Sequence, residues 1–146
     1  MHELILGGQK SGKSRRAEMI AKDWLLQSPD HKAVLIATAQ PWDEEMRQRI
    51  ARHQYDRAAR VPSLTTVEEP VHLVQTIQRL SQPDTLLVVD CLTLWLTNLL
   101  MPMDVKNKPI DSELITYTAM LCVAISKAAG PVVIVSNEIG LGVIPM

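Results

Sequence analysis

Short apolar runs alternate with longer amphipathic stretches along this chain. The runs at residues 4–6, 33–38, 86–89 and 132–135 are rich in aliphatic residues and bounded by polar or turn residues. That pattern predicts buried strands, and 64–67 predicts one more short strand. Amphipathic spacing predicts helices over 13–27, 43–58, 70–80, 92–100 and 112–129. Pro70 fits a first helical position, and Gly130 followed by Pro131 fits a helix stop. Strands that read as continuous apolar runs, each separated by a helix, specify an α/β domain: a mostly parallel sheet with helices on both faces. The stretch 101–109, with two prolines and alternating charge, predicts an exposed loop.

Composition limits what such a domain can do. At 146 residues the chain makes one domain, 1–146, and its 47% hydrophobic content supplies a core that needs no metal or disulfide staple. With no Phe, three Trp and two Tyr, that core is aliphatic, and a base-stacking nucleic-acid platform is not expected. Fifteen basic against 16 acidic residues give a net charge of −1, which lacks the basic footprint of a nucleic-acid binder. Cys91 and Cys122 lie in apolar stretches without metal-ligand spacing, and read as reduced core residues of a cytoplasmic protein. No apolar run approaches the roughly 18 residues of a membrane span, and the run before Gly7 is too short for a signal peptide.

The chemistry begins at the first strand. Gly7-Gly8-Gln9-Lys10-Ser11-Gly12-Lys13-Ser14 matches G-x-x-x-x-G-K-S/T between a predicted strand and a predicted helix, the setting that a phosphate-binding loop requires. The glycines let backbone N–H groups and a helix amino terminus close on an anion. Lys13 would reach the β- and γ-phosphates, and the Ser14 hydroxyl would ligate Mg²⁺. Asp90 ends the apolar run 86–89, where phosphate-loop enzymes keep an acidic residue for that metal.

A third feature is basic. Arginines stand at 47, 49, 52, 57 and 60 around His53, with Asp43, Glu44, Glu45 and Asp56 among them. At helical spacing Met46, Ile50, His53 and Arg57 form one inward stripe, with Trp42 and Arg49 at its edge. An inward His53 is either a satisfied core histidine or a neutral nucleophile whose flanking guanidinium groups offset nucleotide phosphates. His2, His31 and His72 read as surface residues. The polar, Gly-rich segment 136–142 follows the last strand, at the sheet edge where α/β domains bind ligands.

Taken together, these residues resemble the adenosylcobinamide kinase/adenosylcobinamide-phosphate guanylyltransferase family of cobalamin biosynthesis. The resemblance spans the chain: GGQKSGKSRRAE at 7–18, IATAQPWDEEMRQRIARHQ at 36–54, TVEEP at 66–70, VDCLTLWLTNLL at 89–100 and SNEIGLGVIP at 136–145. It implies a P-loop NTPase with a RecA-like core and a homotrimeric, cytoplasmic enzyme. That enzyme would phosphorylate adenosylcobinamide from ATP or GTP, then pass GMP from GTP to the new phosphate through a guanylylated histidine matched by His53. Nucleotide contacts would map to the segment from Gly7 to Ser14, to Ala37, Thr38 and Ala39, to Gln54, Tyr55, Asp56 and Arg57, and to Glu68 and Asp90, with Mg²⁺ at Ser14 and Asp90. Two departures accompany it: the segment between His53 and Glu68 runs a few residues longer, and the family's C-terminal helix and final strand, past the Pro145 position, are missing. A sheet without that strand is expected to leave an exposed edge and to be poorly stable.

Two other readings stay open at this level. A P-loop kinase of another small metabolite would need no nucleophilic His53. A non-enzymatic GTP-binding switch would carry D-x-x-G and N-K-x-D, and neither pattern occurs.

Overall fold

The computed structural model describes residues 2–7, 12–40, 43–100 and 111–137. In chain order the elements are β1 (His2–Gly7), α1 (Lys13–Gln27), β2 (Lys32–Ala37), α2 (Glu44–Arg60), β3 (Leu64–Glu68), α3 (Leu73–Leu80), β4 (Thr85–Asp90), α4 (Leu92–Leu100), α5 (Asp111–Ser126) and β5 (Val132–Asn137). The five strands pair entirely in parallel, in the order β1-β5-β4-β2-β3. This is the expected α/β architecture. The predicted loop 101–109 lies outside the described residues.

Strand alternation sorts the core into two layers. Ala33, Leu35, Leu86, Val88, Val133 and Val135 face α1, where Ala17 and Ala21 pack on them, with Val61 at the end of α2 at the margin. Two small residues one turn apart let α1 lie close to the sheet. On the other face Ile36, Leu87, Val89, Val132 and Ile134 meet Leu73, Val74 and Ile77 of α3, Trp95 and Leu99 of α4, and Leu121 and Ala124 of α5. Trp95 is 1% exposed and donates its indole N–H to the Val71 carbonyl at 2.8 Å, so its one polar atom is satisfied inside the core.

Three local expectations need correction. Pro70 does not start α3, which begins at Leu73. Instead the Glu69 carboxylate accepts the N–H groups of Val71 and His72, and Asn98 holds the Pro70 carbonyl, so 69–72 is fixed as a loop. The predicted helix 112–129 stops at Ser126, and the Ala129 N–H donates to the Ser81 hydroxyl at 2.8 Å. Gly130 then passes against α3's exit, where an added Cβ would collide with the carbonyl oxygens of Gln82 and Thr85. Cys91 is buried as expected, but Cys122 is exposed. The α5 face that meets the core carries Leu121 and Ala124, which turns Cys122 outward.

His31 also departs from a plain surface residue. It is half-buried, stacked on the Trp24 ring with centroids 3.8 Å apart, and its Nδ1 lies 2.8 Å from the Trp24 carbonyl. The chain leaves β2 toward α2 on one face and leaves the adjacent β4 toward α4 on the other. Their carboxyl ends therefore form the crevice in which open α/β sheets hold ligands.

Candidate functional site

Register sets the floor of this crevice. Glu68, Ala37, Asp90, Val135 and Ile5 stand side by side across β3, β2, β4, β5 and β1. Glu68 and Asp90 thus flank Ala37 two strands apart, on the order of 10 Å. Leu86 and Val88 face α1, so alternation sends Asp90 to the same side, toward the phosphate-loop helix.

The loop itself springs from β1. Gly7 closes that strand opposite Asn137, and Gly12 precedes α1 in the left-handed region, φ 77° and ψ 14°. A side chain there would cost about 1–2 kcal/mol, which explains glycine directly before Lys13 and Ser14 in the first turn of α1. The Gly12 carbonyl accepts the Arg16 N–H at 3.1 Å and so starts the helix ladder. Gly8, Gln9, Lys10 and Ser11 lie outside the described residues.

A buried clamp joins β2 to β4. The Thr38 hydroxyl donates to the Cys91 carbonyl at 2.6 Å and accepts the Cys91 N–H at 2.8 Å, while the Thr38 N–H donates to the Asp90 carbonyl at 3.0 Å. The Asn98 side-chain amide donates to the carbonyls of both Thr38 and Pro70, each at 2.8 Å. Thr38 is fully buried and Asn98 is 4% exposed. Together they tie the chain after β2, β3 and β4 into one rigid rim around Asp90. Beside it the hydroxyls of Thr93 and Ser136 lie 2.9 Å apart, linking α4 to the tip of β5. Sequence reasoning missed Asn98, whose signal was the one side-chain amide within the largely apolar run 92–100.

Helix α2 carries the basic stretch and corrects the reading of His53. Asp43 caps the helix, accepting the Met46 N–H at 2.7 Å, and Glu44 and Glu45 follow in the first turn. The inward stripe is Met46, Ile50, Gln54 and Arg57, whereas His53 is exposed. The helix presents the side centred between Ile50 and Gln54, and at about 100° per residue His53 falls roughly 60–80° off that centre. It is therefore not a core histidine. Gln54 and Arg57 turn to the sheet: Gln54 Nε2 donates to Glu68 Oε1 at 2.6 Å, and Arg57 makes a long contact of 3.4 Å with the Thr66 hydroxyl. Tyr55, 77% exposed, and Asp56 face away, as does Arg49. Ala39, Arg47, Ile50, Ala51, Gln54 and Glu68 line a cleft of about 310 Å³ between α2 and the ends of β2 and β3. At the far end of α2, Arg60 holds Glu18 of α1 through Nε at 2.7 Å and Nη2 at 2.8 Å. That hydrogen bond raises the Arg60 pKa further, outweighing desolvation.

The family model described as cobinamide kinase / cobinamide phosphate guanyltransferase matches residues 3–146. The chain belongs to that family. Within the cobinamide kinase/guanyltransferase family, it is 43% identical over 146 residues to the bifunctional adenosylcobalamin biosynthesis protein CobP of Pseudomonas aeruginosa, covering 100% of this chain and 76% of that protein. It is 33% identical over 152 residues to the bifunctional adenosylcobalamin biosynthesis protein CobU of Escherichia coli K12, covering 97% of this chain and 77% of the relative. Among solved structures, the flagellar accessory protein FlaH from Methanocaldococcus jannaschii aligns with a TM-score of 0.51 at 11% identity, over 99% of this chain and 62% of that one. That likeness concerns the fold alone.

Proposed function

We propose that this protein carries both activities named in its family. It phosphorylates the aminopropanol hydroxyl of adenosylcobinamide with a nucleoside triphosphate, then transfers GMP from GTP to the resulting phosphate. The observation that carries the reading is the family match over residues 3–146. The Gly12 turn into α1, facing the Asp90 strand end across the sheet, supports it.

In the first half-reaction the substrate hydroxyl oxygen attacks the γ-phosphorus, the bridging β–γ P–O bond breaks, the nucleoside diphosphate leaves, and the hydroxyl proton passes to solvent water. Lys13 offsets charge on the transferring group, and the backbone amides of residues 7–14 hold the polyphosphate. Asp90 offers a carboxylate on the α1 side and Ser14 a hydroxyl, a hard oxygen pair that fits Mg²⁺ together with nucleotide phosphates. Bound there, Mg²⁺ would neutralise charge on the β- and γ-oxygens.

In the second half-reaction an imidazole nitrogen of His53 attacks the α-phosphorus of GTP, the α–β P–O bond breaks, and pyrophosphate leaves. A phosphate oxygen of adenosylcobinamide phosphate then attacks the same phosphorus and the N–P bond breaks, giving adenosylcobinamide-GDP and free histidine. Covalent capture replaces one difficult displacement with two easier ones. An exposed ring is open to this attack, which favours His53 here. The remaining nucleotide contacts are assigned to Ala37, Thr38 and Ala39 at the rim, to Gln54 and Arg57 on the sheet-facing side of α2, and to Glu68 on the cleft wall; Tyr55 and Asp56, which face away from that cleft, are left out of the assignment.

The same reading makes the protein a cytoplasmic homotrimer without nucleic-acid partners. Exposed Ile115, Met120 and Val123 on α5 supply apolar surface for contacts between copies. Among the described residues no helix is long and apolar enough to cross a membrane. Incubating the protein with adenosylcobinamide, GTP and Mg²⁺ tests the proposal. Mass spectrometry is expected to find adenosylcobinamide phosphate followed by adenosylcobinamide-GDP. A corrinoid left unmodified at stoichiometric enzyme refutes it.

A further inference from the structure

Asn98 is a buried amide among apolar neighbours. It is 4% exposed on α4, beside the core residues Trp95 and Leu99 of the same helix. An amide there forfeits the apolar burial that a leucine would give, and such a group is found inside a core when its polar atoms are paired. Its Nδ2 places one hydrogen on the Thr38 carbonyl and the other on the Pro70 carbonyl, each at 2.8 Å. Both donors of the group are used.

The two carbonyls lie where β2 and β3 part. The ladder between these strands ends at Ala37 and Glu68, with a last backbone bond from the Glu69 N–H to the Ala37 carbonyl at 2.9 Å. Beyond it the chain after β2 turns to its other neighbour, the Thr38 N–H donating to the Asp90 carbonyl at 3.0 Å. The chain after β3 turns instead to α4, where the Trp95 indole N–H donates to the Val71 carbonyl at 2.8 Å. Among the described residues no backbone hydrogen bond joins 38–40 to 69–71. The Asn98 amide spans that gap.

The cleft between α2 and the strand ends opens on the other side of the same gap. Leu64 of β3 packs in the layer under α1, and strand alternation carries Glu68 to that face. Ala39 and Glu68 line the cleft, whereas Asn98 reaches the gap from α4 on the opposite face and does not line it. The nucleotide contacts assigned above to Ala37, Thr38 and Ala39 stand on one of the segments that Asn98 joins, and Glu68 closes the strand that leads into the other. None of these ties involves α2.

We propose that Asn98 is a positioning residue for nucleotide binding: its amide fixes the spacing between the Ala39 rim and the Glu68 carboxylate, so that both meet one nucleotide at once. The inference rests on the nucleotide contacts proposed above. Asp90 is held separately, by the Thr38 N–H and, through Cys91, by the Thr38 hydroxyl, and Lys13 belongs to α1. Loss of the Asn98 amide therefore weakens nucleotide affinity and leaves turnover at saturation nearly intact. A merely structural residue would lower stability alone.

The test uses Asn98→Leu, Asn98→Ala, Glu68→Gln and the double variant Asn98→Ala/Glu68→Gln. Affinity is measured by equilibrium dialysis with Mg²⁺ and the α,β-methylene analogue of GTP, whose α–β bridge His53 cannot cleave. Kinase turnover is read as GDP release at saturating GTP with adenosylcobinamide, and melting temperature by calorimetry. A hydrogen bond to a charged group is worth about 10- to 100-fold in affinity. Asn98→Leu, which keeps the bulk and removes both donors, is expected to weaken analogue binding by about that factor, with turnover within about threefold of wild type. Asn98→Ala, which leaves room for water beside the two carbonyls, is expected to lose about tenfold, and it carries the test if Asn98→Leu melts below the assay temperature. Because Asn98 acts through Glu68, the losses in the double variant are expected to be smaller than the product of the two single losses. Unchanged affinity in a folded Asn98 variant, losses that simply multiply, or turnover that falls as far as affinity overturns the proposal. Normal analogue binding by Glu68→Gln overturns the nucleotide assignment of the cleft wall itself, whereas weakened binding there beside normal binding by Asn98→Leu overturns only the role of Asn98.

Discussion

Thr38→Val tests the rim around Asp90 with a change of almost no volume. The substitution keeps the branched shape and deletes one hydroxyl, which donates to the Cys91 carbonyl at 2.6 Å and accepts the Cys91 N–H at 2.8 Å. Thr38 is fully buried, so no water replaces these two hydrogen bonds, while the Cys91 carbonyl keeps the Trp95 N–H at 3.3 Å. Each hydrogen bond contributes about 0.5–1.5 kcal/mol net, which places the total near 1–3 kcal/mol. Unfolding entropy of about 2.1 cal/mol/K per residue makes about 0.3 kcal/mol/K for this chain, so the melting temperature should fall by about 3–10 °C. Scanning calorimetry of wild type, Thr38→Val and Thr38→Ser measures this directly, and the serine variant, which keeps the hydroxyl, is expected to recover most of the loss. Kinase turnover of Thr38→Val should drop too, because Asp90 immediately precedes Cys91, the residue that the hydroxyl holds. A valine variant that melts within about 2 °C of wild type would show that the hydroxyl does not hold the strand end.

Lys13→Ala is expected to leave the melting temperature nearly unchanged while both half-reactions fall together, since one ammonium serves both uses of the triphosphate; ordinary turnover in either would count against the phosphate-loop assignment. Gly130→Ala should lower the melting temperature by about 3–10 °C, because its Cβ meets the backbone carbonyls of Gln82 and Thr85 and overpacking against backbone costs about 1–3 kcal/mol; an unchanged melt would show that the α3–β4 turn yields freely.

Most of the fold was legible because a parallel sheet needs unbroken apolar strands. The runs at 33–38, 86–89 and 132–135 fall on β2, β4 and β5, and the phosphate loop announced itself by its glycines. What stayed hidden depends on contacts far apart in sequence. Pro70 looks like a helix start until Glu69 and Asn98 are seen holding the loop around it. The stripe on α2 was misjudged by one position, because Met46, Ile50 and Arg57 fit either an inward His53 or an inward Gln54. What selects Gln54 is Glu68 on β3, 2.6 Å from its amide. Cys122 reads as core because α5 is apolar on every side, and only its packing on α3 and the sheet shows which stripe is covered. Asn98 and Glu18, both central to the rim and to the helix pair, carry no local signature beyond being polar in partly apolar surroundings.

Covalent labelling with GTP bearing a labelled α-phosphate, on wild type and His53→Ala side by side, tests the central claim most directly. Wild type is expected to retain label in a bond that is labile in acid and stable in base, as a phosphoramidate is, and peptide mapping should place it at His53. The alanine variant should retain none, with guanylyl transfer down by several orders of magnitude and kinase turnover within about tenfold, a barrier change of roughly 1.4 kcal/mol. Equal labelling of both proteins, or label mapped to any other residue, would contradict the account.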